Sequence, residues 1–293
     1  MAARLTKRYR VTDGDSFRLS SYDPRDKAGL EISKKEGKAL LRRAKSYLSD
    51  LQDLLSANAT SSMLIVFQGM DAAGKDGTIR HVMSGVNPQG VSVTSFKQPG
   101  PQALLHGFLW RIHQAAPAAG RIGIFNRSQY EDVLVTRVHP EQLQHEHLPG
   151  KINTEDFWLG RYADISNFEH YLSRQGTVVL KFFLNISKKE QRKRLLSRLN
   201  TPEKQWKFSP SDLEGRNYWN SYQDAYQEAV RHTSKDFAPW IVVPADRKWF
   251  ARLVVIACVI DALEQLGQTA PDISPDMRGA LDQYRTALMQ ETN

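Results

Sequence analysis

Residues 63–80 read MLIVFQGMDAAGKDGTIR, and the order of residue types in that stretch decides the fold. Met63 to Phe67 is a short apolar run with β-branched residues inside it, which predicts a buried strand. Gly69 to Lys75 follows as G-x-x-x-x-G-K, and apolar residues then recur at helical spacing from Thr78 to Met83. Strand, glycine loop and helix in that order are the context that makes a phosphate-binding loop. Gly69 and Gly74 let the backbone curl until its N–H groups point inward, and the helix beyond presents its positive end to an anion. Lys75 adds a point charge that can reach the outer phosphates of a chain. The expected phosphate cradle is therefore Gly69, Ala72, Ala73, Gly74, Lys75, Asp76, Gly77 and Thr78.

Two features of the loop narrow its chemistry. Such loops usually place Ser or Thr directly after the lysine to hold Mg²⁺, whereas here Asp76 and Gly77 follow and the hydroxyl arrives only at Thr78. Asp71 puts a carboxylate where phosphates would gather, which suits a divalent cation between the two; an Asp that caps the loop is the alternative.

Working outward, 293 residues fit one large α/β domain or two small ones, and we read residues 1–293 as a single domain. The net charge of +8 favours an anionic partner without choosing among nucleotide, polyanion, nucleic acid and membrane. The one cysteine, Cys258 in LVVIACVI, reads as a small buried hydrophobe on a helix, and it excludes a disulfide framework and a zinc cluster. No signal-like apolar core and no run of membrane-spanning length is present, so the expected setting is the cytoplasm, away from membranes.

Residues 1–30 are polar and basic, with turn signals at Asp13-Gly14-Asp15 and Tyr22-Asp23-Pro24, and predict an irregular arm. Ser33 and Glu36 form a capping-box pattern before a long amphipathic helix whose stripe is Leu40, Leu41, Ala44, Tyr47, Leu48, Leu51, Leu54 and Leu55. Further strands are expected at 91–96, 121–125, 177–184 and 240–243, with helices after Pro101 to about Gln114 and over 153–173. Strands separated by helices predict a parallel sheet with helices on both faces. Residues 187–235 form a charged helical excursion, the expected lid. On its first helix Leu195, Leu196 and Leu199 define an apolar side; Arg194 and Arg198 fall opposite it, and Arg192 falls among the leucines.

Three stretches together resemble the family-2 polyphosphate kinases, the polyphosphate:nucleotide phosphotransferases. They are Gly69 to Thr78; Phe125-Asn126-Arg127-Ser128-Gln129-Tyr130-Glu131-Asp132; and Lys181-Phe182-Phe183-Leu184 with Ile186 to Gln191 and Pro239-Trp240. The resemblance spans about residues 30–265. It implies a three-layer, thymidylate-kinase-like P-loop kinase fold with a helical lid. It also implies reversible, Mg²⁺-assisted phosphoryl transfer between inorganic polyphosphate and AMP, ADP or ATP, in a homodimer or homotetramer. The roles it carries over are Lys75 and Arg127 as phosphate-binding cations, Asp71 as metal ligand, and a lid arginine, for which Arg192 and Arg198 are the candidates.

In a P-loop enzyme the second motif normally ends its strand in Asp, which helps to hold the metal. Here the strand ends at Asn126, so the metal-binding role shifts onto Asp71. Asn126 with Glu131 resembles the class III branch, associated with phosphorylating AMP as well as ADP. Glu131 then acts near the acceptor through metal or hydrogen bonding, or else simply favours the helix N-terminus it precedes. His139, His145 and His147 have no Cys partner and do not read as a metal site. Two other readings compete. An ATP-dependent small-molecule or nucleotide kinase shares the fold, while a nucleic-acid-binding NTPase requires aromatic-interleaved basic stretches that are absent.

Overall fold

The computed structural model describes residues 1–291. In chain order its elements begin with α1 (Ala2–Tyr9), α2 (Lys34–Asn58), β1 (Ser62–Gln68), α3 (Lys75–Val82), β2 (Val91–Ser95), α4 (Pro101–Leu104) and α5 (Trp110–Gln114). They continue with β3 (Ile122–Asn126), α6 (Glu131–Val138), α7 (Glu155–Arg174), β4 (Thr177–Asn185), α8 (Lys188–Leu199), α9 (Pro202–Gln205) and α10 (Pro210–Asn217). The last are α11 (Trp219–Thr233), β5 (Trp240–Pro244), α12 (Lys248–Glu264) and α13 (Pro275–Gln290).

The strands form one parallel sheet in the order β2-β3-β1-β4-β5. Parallel neighbours need crossovers, which lay helices on both faces, so the central strands are buried along nearly their whole length and read as largely apolar runs rather than alternating. All seven residues of β1 are buried, as are eight of the nine in β4. The edge strand β2, VSVTS, is short and polar and leaves three of its five residues exposed. The expected parallel sheet flanked by helices is present, with no strand limit shifted by more than one residue.

The capping box at Ser33 forms in both directions: Glu36 N–H donates to the Ser33 hydroxyl, and Ser33 N–H donates to the Glu36 carboxylate. Leu41, Leu48 and Leu55 bury the core face of α2. Tyr47 departs from the predicted stripe; it is exposed and donates its hydroxyl to Glu264 instead. The arm at 1–30 is more ordered than expected. It opens with α1, and Arg10 and Val11 bond to β5 at Ile241 and Trp240, covering the sheet edge opposite β2. The helix expected up to Gln114 breaks into α4 and α5 around Gly107. Within the excursion at 187–235, α11 buries Ala225, Tyr226, Ala229 and Val230 and belongs to the body, so only α8 to α10 stand over the sheet end. Cys258 is buried, as predicted, and burial pushes its thiol up to about 12. No helix among the described residues is long and apolar enough to cross a membrane.

Candidate active site

At the C-terminal edge of the sheet, β1 runs into the glycine loop and α3 carries the chain away. Gly69 and Gly74 adopt φ of +151° and +107°, and a Cβ on Gly69 would meet the Leu184 carbonyl at 3.0 Å. Ala72, at φ +60°, is left-handed without being glycine. Such a conformation costs about 1 kcal/mol and persists only where neighbours hold it. Lys75 bends back along the loop and donates to the Gly69 carbonyl at 2.5 Å. Burial lowers its pKa, as does the nearby Arg127 charge, while Asp71, Glu131 and Asp76 work the other way.

The adjacent strand β3 delivers the second motif. Asn126, its last residue, donates to Asp76 Oδ1 at 2.7 Å, tying the motif to the first turn of α3. Arg127 follows at φ +66°, and its N–H reaches back to the Phe67 carbonyl of β1 at 3.1 Å. That turn aims the guanidinium into the loop: Nη2 donates to Asp71 Oδ1 and Nη1 to Glu131 Oε2, each at 3.0 Å. Its pKa is raised, first by the Glu131 charge and then, against burial, by Asp71. Four of the residues expected from the sequence, Asp71, Lys75, Arg127 and Glu131, thus share one small space. Tyr222 and Tyr226 of α11 face them; burial and the Glu131 and Asp71 charges push the Tyr222 hydroxyl up to about 12.

Behind the second motif lies a buried polar network that sequence reasoning missed. Lys181 of β4 and Glu169 of α7 are fully buried and form an ion pair. Glu169 also accepts from Tyr130 Oη at 2.9 Å and Gln129 Nε2 at 3.1 Å, and Lys181 donates to the Thr233 carbonyl at 2.7 Å. A buried charge is tolerable only when paired and hydrogen-bonded, and here the pairing pins residues 129–130 immediately beyond Arg127. The signal available was a lysine in the middle of an apolar strand, VVLKFFL; its partner, 12 residues earlier, was not legible.

Helix α8 departs from the sequence reading. Arg192 does share a face with Leu196 and Leu199, but that face is exposed. The buried face is Gln191, Arg194 and Leu195, so Arg194, expected to point away, turns onto the P-loop. Gln191 Nε2 donates to the Asp71 carbonyl at 2.9 Å. Arg198 binds Asp212 at 2.8 Å and the Lys207 carbonyl at 3.0 Å, within the 187–235 excursion itself. The structure therefore brings neither Arg192 nor Arg198 to the Asp71 cluster. Helix α10 passes over that cluster, with the Cβ direction of Gly215 3.9 Å from Asp71 Oδ2.

Cations also gather outside the loop. Lys45 of α2, Arg80 of α3, and Lys248 and Arg252 of α12 share a ledge beside the P-loop helix. Burial lowers Lys45, Lys248 and Arg252, and repulsion adds to it: Arg252 acts on Lys45, Arg194 on Lys248, and Arg80 on Arg252.

Among the described residues, no group of three or more His, Cys, Asp or Glu is placed to hold a metal. Asp71 and Glu131 offer hard carboxylate oxygens, which fit a Mg²⁺ that keeps several waters and takes its other ligands from phosphate.

A family model described as polyphosphate kinase 2 (PPK2) matches residues 31–271. An ADP-polyphosphate phosphotransferase of Rhodopseudomonas palustris is 48% identical over 286 residues, covering 97% of this chain and 99% of its own. An AMP/ADP-polyphosphate phosphotransferase of Meiothermus ruber is 45% identical over 265 residues, 90% of this chain and 95% of its own. The crystal structure of polyphosphate kinase 2 from Arthrobacter aurescens TC1 superimposes with a TM-score of 0.89 at 41% identity, covering 98% of this chain and 97% of that one.

Proposed function

This chain belongs to the polyphosphate kinase 2 family, and from that premise we propose that it moves a phosphoryl group from inorganic polyphosphate to AMP and ADP. The products are ADP and ATP and a polyphosphate one unit shorter. One observation supports this reading above the others: Arg127 lies 3.0 Å from Asp71, so the second motif's cation and the P-loop address the same few ångströms.

Phosphoryl transfer asks chiefly for in-line positioning and for neutralising charge on the transferring group. A P–O bond of the donor breaks as the acceptor's phosphate oxygen forms a new one. That oxygen is already an anion, so no general base is needed. The P-loop amides and Lys75 hold the donor end, and Arg127 meets the charge that develops between donor and acceptor. Asp71, with Glu131 beside it, would hold Mg²⁺, which when bound neutralises phosphate charge. Helices α8 to α10 act as the lid, excluding water that would otherwise hydrolyse the donor. Tyr222 and Tyr226 wall the cluster from the α11 side.

Lys75→Ala tests the site. The variant should keep its fold, judged by a melting temperature within a few degrees of the parent, and lose about 10²-fold or more in polyphosphate-driven ATP formation. Turnover near that of the parent would remove the P-loop from the mechanism.

A further inference from the structure

We infer that Arg194 is a positioning residue that shapes the phosphate-binding face of the P-loop. The inference rests on the reading that the donor's phosphates occupy that loop. Arg194 stands on α8, yet its side chain is 7% exposed and lies beneath residues 72–73. Nη1 donates to the carbonyls of Ala72 at 3.1 Å and Ala73 at 2.7 Å. Nη2 donates to the carbonyls of Ala245 at 2.5 Å and Asp246 at 3.2 Å, and Nε to Glu190 Oε1 at 3.0 Å. A guanidinium has five N–H donors, and these five acceptors use them all.

The consequence follows from the planarity of the peptide bond. C=O and N–H of one peptide point in opposite directions, so holding the carbonyl on the outside of the loop turns the N–H toward its inside. The Ala73 carbonyl is held by Arg194, and the Gly74 N–H at the other end of that peptide makes no backbone hydrogen bond among the described residues. The preceding peptide is fixed at both ends, by Arg194 on the Ala72 carbonyl and by the Ala73 N–H bonding to Met70 O at 3.0 Å. Those two peptides lie between Ala72 at φ +60° and Gly74 at φ +107°, the left-handed turns that make the nest. A positive charge on the carbonyl side also polarises the amide and strengthens its N–H as a donor.

The same guanidinium ties the loop to the base of the lid. The Asp246 carboxylate accepts from Ser187 N–H at 2.8 Å and from Ser187 Oγ at 2.7 Å, which anchors the start of α8. A lysine at 194 would keep the charge but lacks the planar fork that spans four carbonyls.

The test is calorimetric titration of inorganic tripolyphosphate into the parent protein and Arg194→Lys, with Lys193→Ala, an exposed neighbour, as control. Steady-state kinetics on the same proteins complete the comparison. Arg194→Lys should bind tripolyphosphate roughly tenfold more weakly and raise the polyphosphate KM by a similar factor, with the KM for AMP and ADP unchanged. Should the lysine variant lose its fold by circular dichroism, Arg194→Gln serves the same comparison. Tripolyphosphate affinity equal to the parent's would overturn the inference, as would an equal rise in the KM of donor and acceptor. A parent protein that binds ATP but not tripolyphosphate would instead overturn the donor reading on which the inference rests.

Discussion

Arg127 reaches Asp71 across 56 residues of chain and meets it at 3.0 Å, so the P-loop carboxylate and the second-motif cation hold one another in place. The same guanidinium holds Glu131, and two carboxylates therefore share one counter-ion. Arg127→Ala should lower kcat/KM by about 10³-fold, through loss of charge stabilisation at the transferring group. It should also leave two carboxylates without their cation. Binding of Mn²⁺ to the substrate-free variant, followed by electron paramagnetic resonance, should then tighten by roughly tenfold. Unchanged Mn²⁺ affinity would show that Asp71 and Glu131 do not form a common cation site.

The ledge of Lys45, Arg80, Lys248 and Arg252 predicts a steep salt dependence. Cations this crowded, where burial and then repulsion from Arg252 lower Lys45 and burial and then Arg80 lower Arg252, release counter-ions when a polyanion takes their place. Raising KCl from ~50 to ~200 mM at constant free Mg²⁺ should increase the polyphosphate KM by at least ~10-fold, with a smaller effect on the KM for AMP. Arg252→Ala should flatten that slope. A flat response in the parent would mean that the ledge does not meet the donor.

Asp132, next to Glu131, carries the clearest pH signature. Burial pushes its carboxyl up to about 7 although Arg111 and Arg161 pull it down, and its Oδ2 makes no hydrogen bond among the described residues. A folded-state pKa above the unfolded one means that the folded chain holds the proton more tightly. The associated stability is complete below the unfolded value near 4 and is lost as pH rises through about 7. Asp132→Asn stays neutral throughout, so its advantage in melting temperature over the parent should grow by a few degrees between ~pH 5 and ~pH 8. A constant or shrinking difference would contradict the buried, unsatisfied carboxyl.

What was legible in the sequence was what is local. The loop of residues 69–75 carries its flanking strand and helix within 18 residues, and the Ser33–Glu36 capping box closes over three. Fully buried strands announce themselves as continuous apolar runs, hence the sheet. The errors came where tertiary packing overrode a local pattern. On α8 the leucines at 196 and 199 point outward, because the helix packs through Arg194 onto backbone carbonyls that no sequence pattern displays. The Lys181–Glu169 pair, the hold of α11 on the body and the pairing of Arg10 with β5 are likewise contacts between separate elements.

Glu131 predicts how the acceptor is chosen. AMP must place its α-phosphate where ADP places its β-phosphate, and a hydrated Mg²⁺ beside a carboxylate can bridge that gap far better than beside an amide. Glu131→Asn should therefore reduce kcat/KM for AMP about tenfold more than for ADP. Equal losses on both acceptors would assign Glu131 to Arg127, which it already holds at 3.0 Å, rather than to acceptor choice.

The central claim is that the donor is polyphosphate. The most direct measurement is a ³¹P NMR time course on purified protein with Mg²⁺, polyphosphate and AMP, with no ATP supplied. The account predicts the β-phosphate resonance of ADP first and the γ-phosphate resonance of ATP after it, as the polyphosphate chain shortens. Absence of both resonances, with ADP forming only once ATP is added as donor, would contradict it.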